Sequence, residues 1–405
     1  MKKTRTSRLK RGVILGLLSA LLLLILTGGA GRFSARADTA DDAREALDNS
    51  VEEILGNLDL SGLESYYNTL DREQQDFFGA GLYDYLKRIV TGENEFDFSG
   101  FAAYLFSVLG RSILNILPMV MSIVAIAVVL SIVGGVRGSF ASSSIETVVG
   151  FAGVGLVAVI VLAPTLTAVT AAGRLVGSLK MQMESIFPAL FTLMTAVGAS
   201  GSVKVYQPAV AALSVSLSGL ITTVILPIIL ITAAFAVIGN LSGAVKLTGM
   251  TKFLGALCKW ILYTSFFLFI GFLSVQGITA SVYDNISVRT AKFALSQYVP
   301  VIGGYLSEGF NIIAAGSVLV KNAVGLTSIL LMLLTVLPVL IEVILLALGI
   351  RLAAALIEPF ASERIGGLLN ALASAVNMLI SVIAGILFLY GIFMILIIAS
   401  GNLAL

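Results

Sequence analysis

The chain of 405 residues is 58% hydrophobic and only 12% charged, whereas soluble proteins carry about a quarter of charged residues. This balance is typical of a polytopic membrane protein. There is no histidine, and the single Cys258 excludes a disulfide within one subunit. Neither a GxxxxGK[ST] phosphate loop nor an HExxH zinc motif occurs. We therefore expect no enzymatic activity, no catalytic residue, no cofactor, no metal site and no binding to nucleic acid.

The formal net charge of +2 hides a strong asymmetry along the chain. Residues 38–100 hold sixteen acidic against four basic residues, and the rest of the chain after residue 100 holds seven against thirteen. The acidic part and the apolar part are therefore interpreted as separate domains. We predict a signal peptide at 1–37, an acidic helical extracytoplasmic domain at 38–110 and a polytopic membrane domain at 111–405.

The first 37 residues have the three parts of a secretory signal. A basic start is followed by the apolar run Val13–Leu26 and by the small residues around Ala35 and Ala37. The alternative is an uncleaved first transmembrane helix, although a run of about 14 residues is short for a bilayer that needs ~20. A cleaved signal places the acidic domain outside the cytoplasm.

The acidic domain has the pattern of amphipathic helices. Apolar residues recur at helical spacing from Leu47 to Leu58 and again from Phe78 to Ile89. Ser61 followed by Glu64 has the spacing of a capping box, and Ser99 is placed to cap a further helix. The carboxylates follow no calcium-loop spacing, so a solvated acidic face is the simpler interpretation.

Six charge-poor stretches are long enough to cross a bilayer, which predicts an all-α membrane protein with about six transmembrane helices. The two stretches of 41 residues could each hold two crossings, which would give eight. The stretches are Ser112–Gly134, Thr147–Gly173, Val205–Val245, Trp260–Tyr283, Asn322–Ile341 and Ile365–Leu405.

Shorter apolar pieces fail this length test and predict re-entrant or interfacial segments. They are Ile186–Val197 and, in the polar stretch between two long apolar segments, Tyr298–Leu306 and Phe310–Val320. We expect that polar stretch to face solute, water or a partner, and Glu342 is a further ionisable residue inside an apolar span. The candidate pore-facing or partner-facing residues are Asp284, Arg289, Lys292, Glu308, Lys321 and Glu342.

The proline positions suggest a weak internal repeat. Leu-Pro pairs end at Pro118, Pro227 and Pro338, at spacings of 109 and 111 residues. The pattern predicts parallel units of about 110 residues that start near 112, 221 and 332, with chance as the competing explanation.

Several strings around the polar stretch resemble the stage III sporulation protein AE family of endospore-forming bacteria. They are SVQGITASV at 274–282, ISVRTAK at 286–292, VPVIG at 299–303 and LVKNAVG at 319–325. Further matching strings lie at 51–60, 353–359 and 397–402, so the resemblance covers nearly the whole chain. The family has no established catalytic residues, and none are implied here.

The resemblance implies a multi-pass protein of the mother-cell membrane around the forespore. It implies a subunit of a secretion-like channel complex with the other stage III sporulation A proteins and forespore protein Q, in contact with membrane lipid and in a hetero-oligomer or homo-oligomer. The alternative from the residues is a stand-alone secondary transporter for a small solute, and a third interpretation is a membrane anchor without a pore.

Overall fold

The fold is known from a computed structural model that describes residues 40–79, 81–92, 97–135, 143–241, 247–298, 303–359 and 362–400. For helical residues 40–44, 134–135, 143–147, 277–298 and 303–310 only the backbone is described. The predicted signal peptide lies outside these residues. The chain divides into two units, 1–49 and 50–405. Of the first unit, the structure describes the beginning of helix α1.

The acidic part forms four short helices, as its periodicity predicts. They are α1 (Ala40–Asn57), α2 (Ser61–Tyr67), α3 (Arg72–Gln75) and α4 (Leu82–Thr91), with a 3₁₀ turn at Asp76–Phe78. Phe78 is fully buried, and its ring lies 5.3 Å from that of Tyr67 and 5.0 Å from that of Tyr85. Edge-to-face aromatic contacts of this kind join α2 and α4 through the 3₁₀ turn.

Aspartates, rather than the predicted serines, accept the hydrogen bonds at two helix starts. Asp59 accepts from the Ser61 backbone N–H at 3.0 Å, and Asp97 accepts from the Gly100 backbone N–H at 2.9 Å. A carboxylate is preferred there because it is charged and lies at the positive end of the helix dipole. The capping box occurs at Asp71 and Gln74 instead.

Six long helices follow in the part of the chain that the structure describes, and their number confirms the prediction of about six crossings. Each is long and apolar enough to span a membrane. The helices are α5 (Phe98–Gly135), α6 (Ser143–Ala196), α7 (Ser200–Leu241), α8 (Thr248–Tyr298), α9 (Gly303–Ile357) and α10 (Glu363–Ala399).

Helices α9 and α10 form the centre of the bundle. Most side chains of α10 are buried, whereas α5 and α8 expose Phe106, Leu114 and Phe267 on their outer faces. Glycines allow close approach between helices, as is usual in membranes. A Cβ added at Gly385 of α10 would overlap the ring of Phe266 in α8.

Helix α7 contains two wider turns. The segments Ala212–Leu217 and Ile221–Ile225 have π-helical geometry and are joined by a short α-helical piece. The second segment directly precedes Leu226 and Pro227. Such π turns accommodate an extra residue within an otherwise continuous helix.

The short apolar piece Ile186–Val197 is not a separate element, contrary to the expectation from its length. Residues up to Ala196 form the end of α6, a continuous helix of 54 residues. Phe187, Leu190 and Met194 are buried in the bundle, which explains why this piece is apolar. Similarly, α9 runs without a break through Glu308, where the sequence predicted a split. Residues 299–302 of the predicted short piece Tyr298–Leu306 lie outside the described residues.

The predicted domain boundary and the repeat stay predictions. Helix α5 passes through residues 110 and 111 as one continuous helix. Pro118 lies in α5, Pro227 in α7 and Pro338 in α9, so each proline occupies the first helix of a consecutive pair.

Candidate functional site: the cleft between the acidic helices and the long helices

A polar cleft of about 380 Å³ lies where α3 meets helices α5 and α9. From the acidic side it is lined by Glu73 and Gln74, and from the long helices by Arg111, Pro338 and Glu342. Both sides belong to the second unit of the chain. The cleft is therefore built by the docking of the acidic helices on the membrane domain.

Gln74 makes the central contact of this docking. Its side chain is buried, and its Nε2 donates to the Leu334 carbonyl at 2.8 Å and to the Tyr104 hydroxyl at 3.2 Å. Leu334 lies four residues before Pro338, and proline has no N–H to donate to that carbonyl. Gln74 thus supplies the hydrogen bond that Pro338 cannot. Its Oε1 accepts from the Asp71 backbone N–H at 3.1 Å, so both ends of the amide are used.

Tyr66 makes a second buried contact, one residue further along α9. Its hydroxyl lies 2.9 Å from Thr335 Oγ1, which itself donates to the Leu331 carbonyl at 2.8 Å. Tyr66 is therefore the donor in this pair. Burial raises the pKa of Tyr66 from 10.0 to about 12, although its bond to Thr335 acts in the other direction. The phenol is held neutral inside the interface.

Charged groups close the mouth of the cleft. Arg111 of α5 binds Glu73 in a two-bond contact, with Nη1–Oε1 at 3.1 Å and Nη2–Oε2 at 2.6 Å. Both side chains are more than half exposed, so the pair orients the docking more than it stabilises it. Glu342 is exposed on α9 beside this pair. Glu342 therefore lies on the surface of α9 and not inside the bundle, and its role as a pore-facing or partner-facing residue stays a prediction.

A second ion pair lies on the acidic helices, away from the cleft. Lys87 of α4 donates to Glu52 of α1 at 2.8 Å. The hydrogen bond from Lys87, and then its charge, hold the pKa of Glu52 below its usual range. Because both groups are exposed, this pair acts through solvent-screened attraction.

Lys321, a predicted pore-facing or partner-facing residue, lies inside the bundle and not on its outer surface. It is fully buried and donates to the carbonyl of Ser400, at the end of α10. A cation at this point complements the negative end of the helix dipole. Ser400 Oγ in turn donates to the Tyr206 hydroxyl at 3.2 Å, which links α7, α9 and α10.

The predicted site residues do not form one cluster. Lys321 and Glu342 are 21 residues apart on α9, which corresponds to about 32 Å along the helix. Asp284, Arg289 and Lys292 belong to α8, and Glu308 belongs to α9. The side chains of these four residues lie outside the described residues.

Sequence reasoning identified Glu342 but missed Gln74, Tyr66 and Arg111. Pro338 was one available signal, because a proline inside a helix always leaves a carbonyl that needs another donor. Nothing in the sequence says which distant side chain provides it. Within the described ranges, no three Asp, Glu or Cys residues come together as a metal site would require. The cleft can accept a charged side chain or a hydrated ion.

Comparisons with known proteins agree with the resemblance of the sequence strings. Residues 81–401 match the family described as Stage III sporulation protein AE. The chain is 22% identical over 387 residues to the Stage III sporulation protein AE of Bacillus subtilis (strain 168), covering 95% of this chain and 97% of that protein. No solved structure matches. Because the family match covers most of the six-helix domain, this chain belongs to the stage III sporulation protein AE family.

Proposed function

We propose that this protein is a membrane subunit of a stage III sporulation secretion-like channel between mother cell and forespore. It acts as a channel or scaffold component and not as a catalyst. Its proposed partners are the other stage III sporulation A proteins and forespore protein Q. The proposed location is the mother-cell membrane around the forespore, with the acidic helices outside the cytoplasm.

The docking of the acidic helices is the observation that supports a scaffold. Gln74 and Tyr66 fix these helices to α9 through buried hydrogen bonds, and Arg111 adds a charged contact from α5. The acidic side chains Glu52, Glu53 and Asp84 remain exposed on the outside. A rigidly held acidic surface favours a partner with a basic surface, through electrostatic complementarity.

A stand-alone transporter is the second candidate, and the cleft with Glu342 is the feature that favours it. A volume of about 380 Å³ is within the range of small-ligand sites. However, the cleft opens beside exposed charges and is lined in part by the acidic helices. This position fits a docking site better than a substrate site enclosed at the membrane midplane.

Affinity purification from sporulating cells tests the proposal. The full chain, tagged at its C-terminus, is isolated in mild detergent from cells in the stage of engulfment. We expect the other stage III sporulation A proteins to be recovered with it. A preparation that contains only this chain, and that takes up a solute after reconstitution, would support the transporter instead.

A matched pair of variants makes this purification specific for the acidic surface. Replacing Glu53 by glutamine and Asp84 by asparagine removes exposed charge and leaves the Lys87–Glu52 pair in place. The control replaces Glu184, which is exposed on α6. We expect the partner proteins to be missing from the purification of the first variant and to be recovered with the control.

A further inference from the structure

The long helices are too long for the membrane that they cross. Helix α6 has 54 residues and α9 has 55, so each measures about 80 Å, against a hydrocarbon layer of about 30 Å. Fitting 80 Å into this layer would need a tilt of about 68°, far beyond the ~40° at which transmembrane helices are found. A large part of each helix therefore lies outside the hydrocarbon.

The exposed face of α6 shows where this helix leaves the hydrocarbon, because its exposed side chains change there from apolar to mostly polar. In its first part the exposed large side chains are apolar, and they are Phe151, Leu156, Val159 and Leu166. From Thr167 onward most exposed large side chains are polar, with Met181 as the exception, and small or cyclic apolar residues are exposed at Gly177, Pro188 and Ala196. The polar exposed residues include Thr170, Arg174, Glu184, Thr192 and Thr195. The first face suits lipid, whereas the second suits water.

Helix α7 runs in the opposite direction and shows the reverse order. Polar side chains are exposed first, at Lys204, Gln207 and Ser216, beside the apolar Pro208, Ala211 and Val215. Thr222 and Thr223 are exposed at the point of change. After them, the exposed large side chains are Ile231 and Ile238. The changes in α6 and α7 thus lie at the same end of this helix pair.

If one crossing takes about 20 residues, the end of the crossing can be located in four helices, α5, α6, α7 and α9. Starting from Val148 in α6 the crossing ends near Ala168, and counting back from Leu241 in α7 it ends near Ile221. The same count back from Val133 in α5 ends beside Arg111, and from Ile357 in α9 it ends beside Pro338. Contacts between the helices place Ile221 beside Val176 of α6, about 12 Å along that helix from Ala168. The four end points therefore mark a zone about 12 Å deep at the level of the polar cleft, where the membrane surface lies.

The acidic helices confirm which side of that surface meets water. They pack against α9 from Gly316, whose added Cβ would lie 3.0 Å from Ser50 Oγ, to Thr335. Gly62 of α2 also lies against Ser185 of α6. Because these helices carry exposed carboxylates, the parts of α6 and α9 that they cover lie in water.

The remaining part of α9 has the character of a lipid-facing crossing. Leu348, Leu352 and Leu356 are exposed on it. Arg351 is also exposed, six residues before Ile357, which is about 9 Å along the helix. An arginine at this distance reaches the opposite interface with its long side chain.

From these observations we infer that the bilayer surrounds only one part of the six helices. The rest, together with the acidic helices, forms a projecting bundle in water on the acidic side of the membrane. This bundle comprises residues 50–92, 174–221 and 311–338 and the end of α10. From Arg174 to Ala196 it rises about 33 Å above the membrane. The piece Ile186–Val197 then needs no re-entrant loop, because its apolar side chains form the core of this bundle.

Cysteine labelling of the full chain in membranes tests the inference, independently of the proposed partners. In a Cys258→Ala background, single cysteines replace Thr192 and Ser216, which lie in the projecting bundle. Phe151 and Leu348 are replaced as lipid-facing positions, and Glu53 of α1 reports the acidic side. All five side chains are exposed, so the substitutions disturb no buried contact.

We expect an impermeant maleimide to label the cysteines at 192 and 216 as fully as the one at 53, and from the same side of the membrane. The cysteines at 151 and 348 are expected to stay unlabelled until detergent removes the lipid. Protection of 192 and 216 by lipid, or their labelling from the side opposite to position 53, would overturn the inference.

Discussion

Gln74 donates its side-chain amide to the carbonyl of Leu334, which has no partner within α9 because Pro338 lacks the N–H. One short helix of the acidic part thereby completes the hydrogen bonding of a helix 260 residues further along the chain. The acidic helices are part of the structure of α9 and not an independent attachment. Removal of this contact should therefore destabilise both the acidic helices and α9.

We expect Gln74→Ala to lower the free energy of unfolding by about 1–3 kcal/mol, because it leaves a buried carbonyl without a donor. Pro338→Ala restores an N–H four residues after Leu334. In that background the effect of Gln74→Ala should shrink, which a double-mutant cycle of denaturant unfolding in detergent measures. Gln207→Ala, at an exposed position of α7, is the control. Additive effects of the two substitutions would show that Pro338 and Gln74 are not coupled.

Tyr66 predicts a loss of stability at alkaline pH. Its pKa is raised from 10.0 to about 12 in the folded protein, so its contribution is complete below pH 10 and is lost as the pH rises through about 12. Tyr66→Phe should cost about 1 kcal/mol at neutral pH, since the Tyr66–Thr335 bond is lost. The variant should also lose less stability than the parent between pH 10 and 12. Thermal unfolding across this range measures the difference, and identical profiles would contradict it.

Gly385 predicts how closely α8 and α10 must approach. A Cβ at this position would overlap the Phe266 ring, so Gly385→Ala must displace that ring or move one of the two helices. Overpacking of this kind typically costs about 1–3 kcal/mol. Gly366→Ala in the same helix is the control, because nothing lies within 4 Å of its added Cβ. Equal unfolding temperatures for the two variants would show that the contact is looser than described.

A substitution of Glu342 distinguishes the proposed scaffold function from the transporter function. We expect Glu342→Gln to leave sporulation and the recovery of partner proteins unchanged, because this exposed carboxylate is not required for packing. Glu184→Gln, on the exposed face of α6, is the matched control. If Glu342→Gln alone abolishes uptake of a solute by the reconstituted protein, then the transporter is the better description.

The polar stretch predicts the side on which α8 ends. Cysteines at Ser287 and Ser296, both in α8, should react with an impermeant thiol reagent from outside the cytoplasm. The basis is the sequence signal for export of the acidic helices and the projection of the long helices on that same side. Reaction only after the cytoplasmic side has been opened would reverse the orientation of the whole chain.

The sequence predicted the helices well but not their relation to the membrane. Charge-free length gave the number of crossings, because a crossing needs about 20 apolar residues. The same criterion failed for Ile186–Val197, since Phe187 and Leu190 are apolar through burial against other helices and not through contact with lipid. Apolar composition does not distinguish these two causes.

The residues of the cleft were less predictable from the sequence than the helices were. Glu342 stood out as a carboxylate in an apolar stretch, but Gln74 and Arg111 look like ordinary surface residues in the sequence. Their role depends on contacts across 260 and 38 residues of chain. Lys321 attracted notice as a charge near the polar stretch, yet its neighbour is the Ser400 carbonyl at the far end of the chain.

The two π turns of α7 set the rotation of one half of that helix against the other. Each residue turns an α-helix by about 100°, so converting Ala212–Leu217 to ordinary α geometry without removing a residue would swing everything after it by about that angle. Ile231 and Ile238 would then leave the exposed face, while side chains of the interior would take their place. Removing one residue within a π turn can restore α geometry and keep that register, whereas the same deletion in the α-helical part that follows cannot.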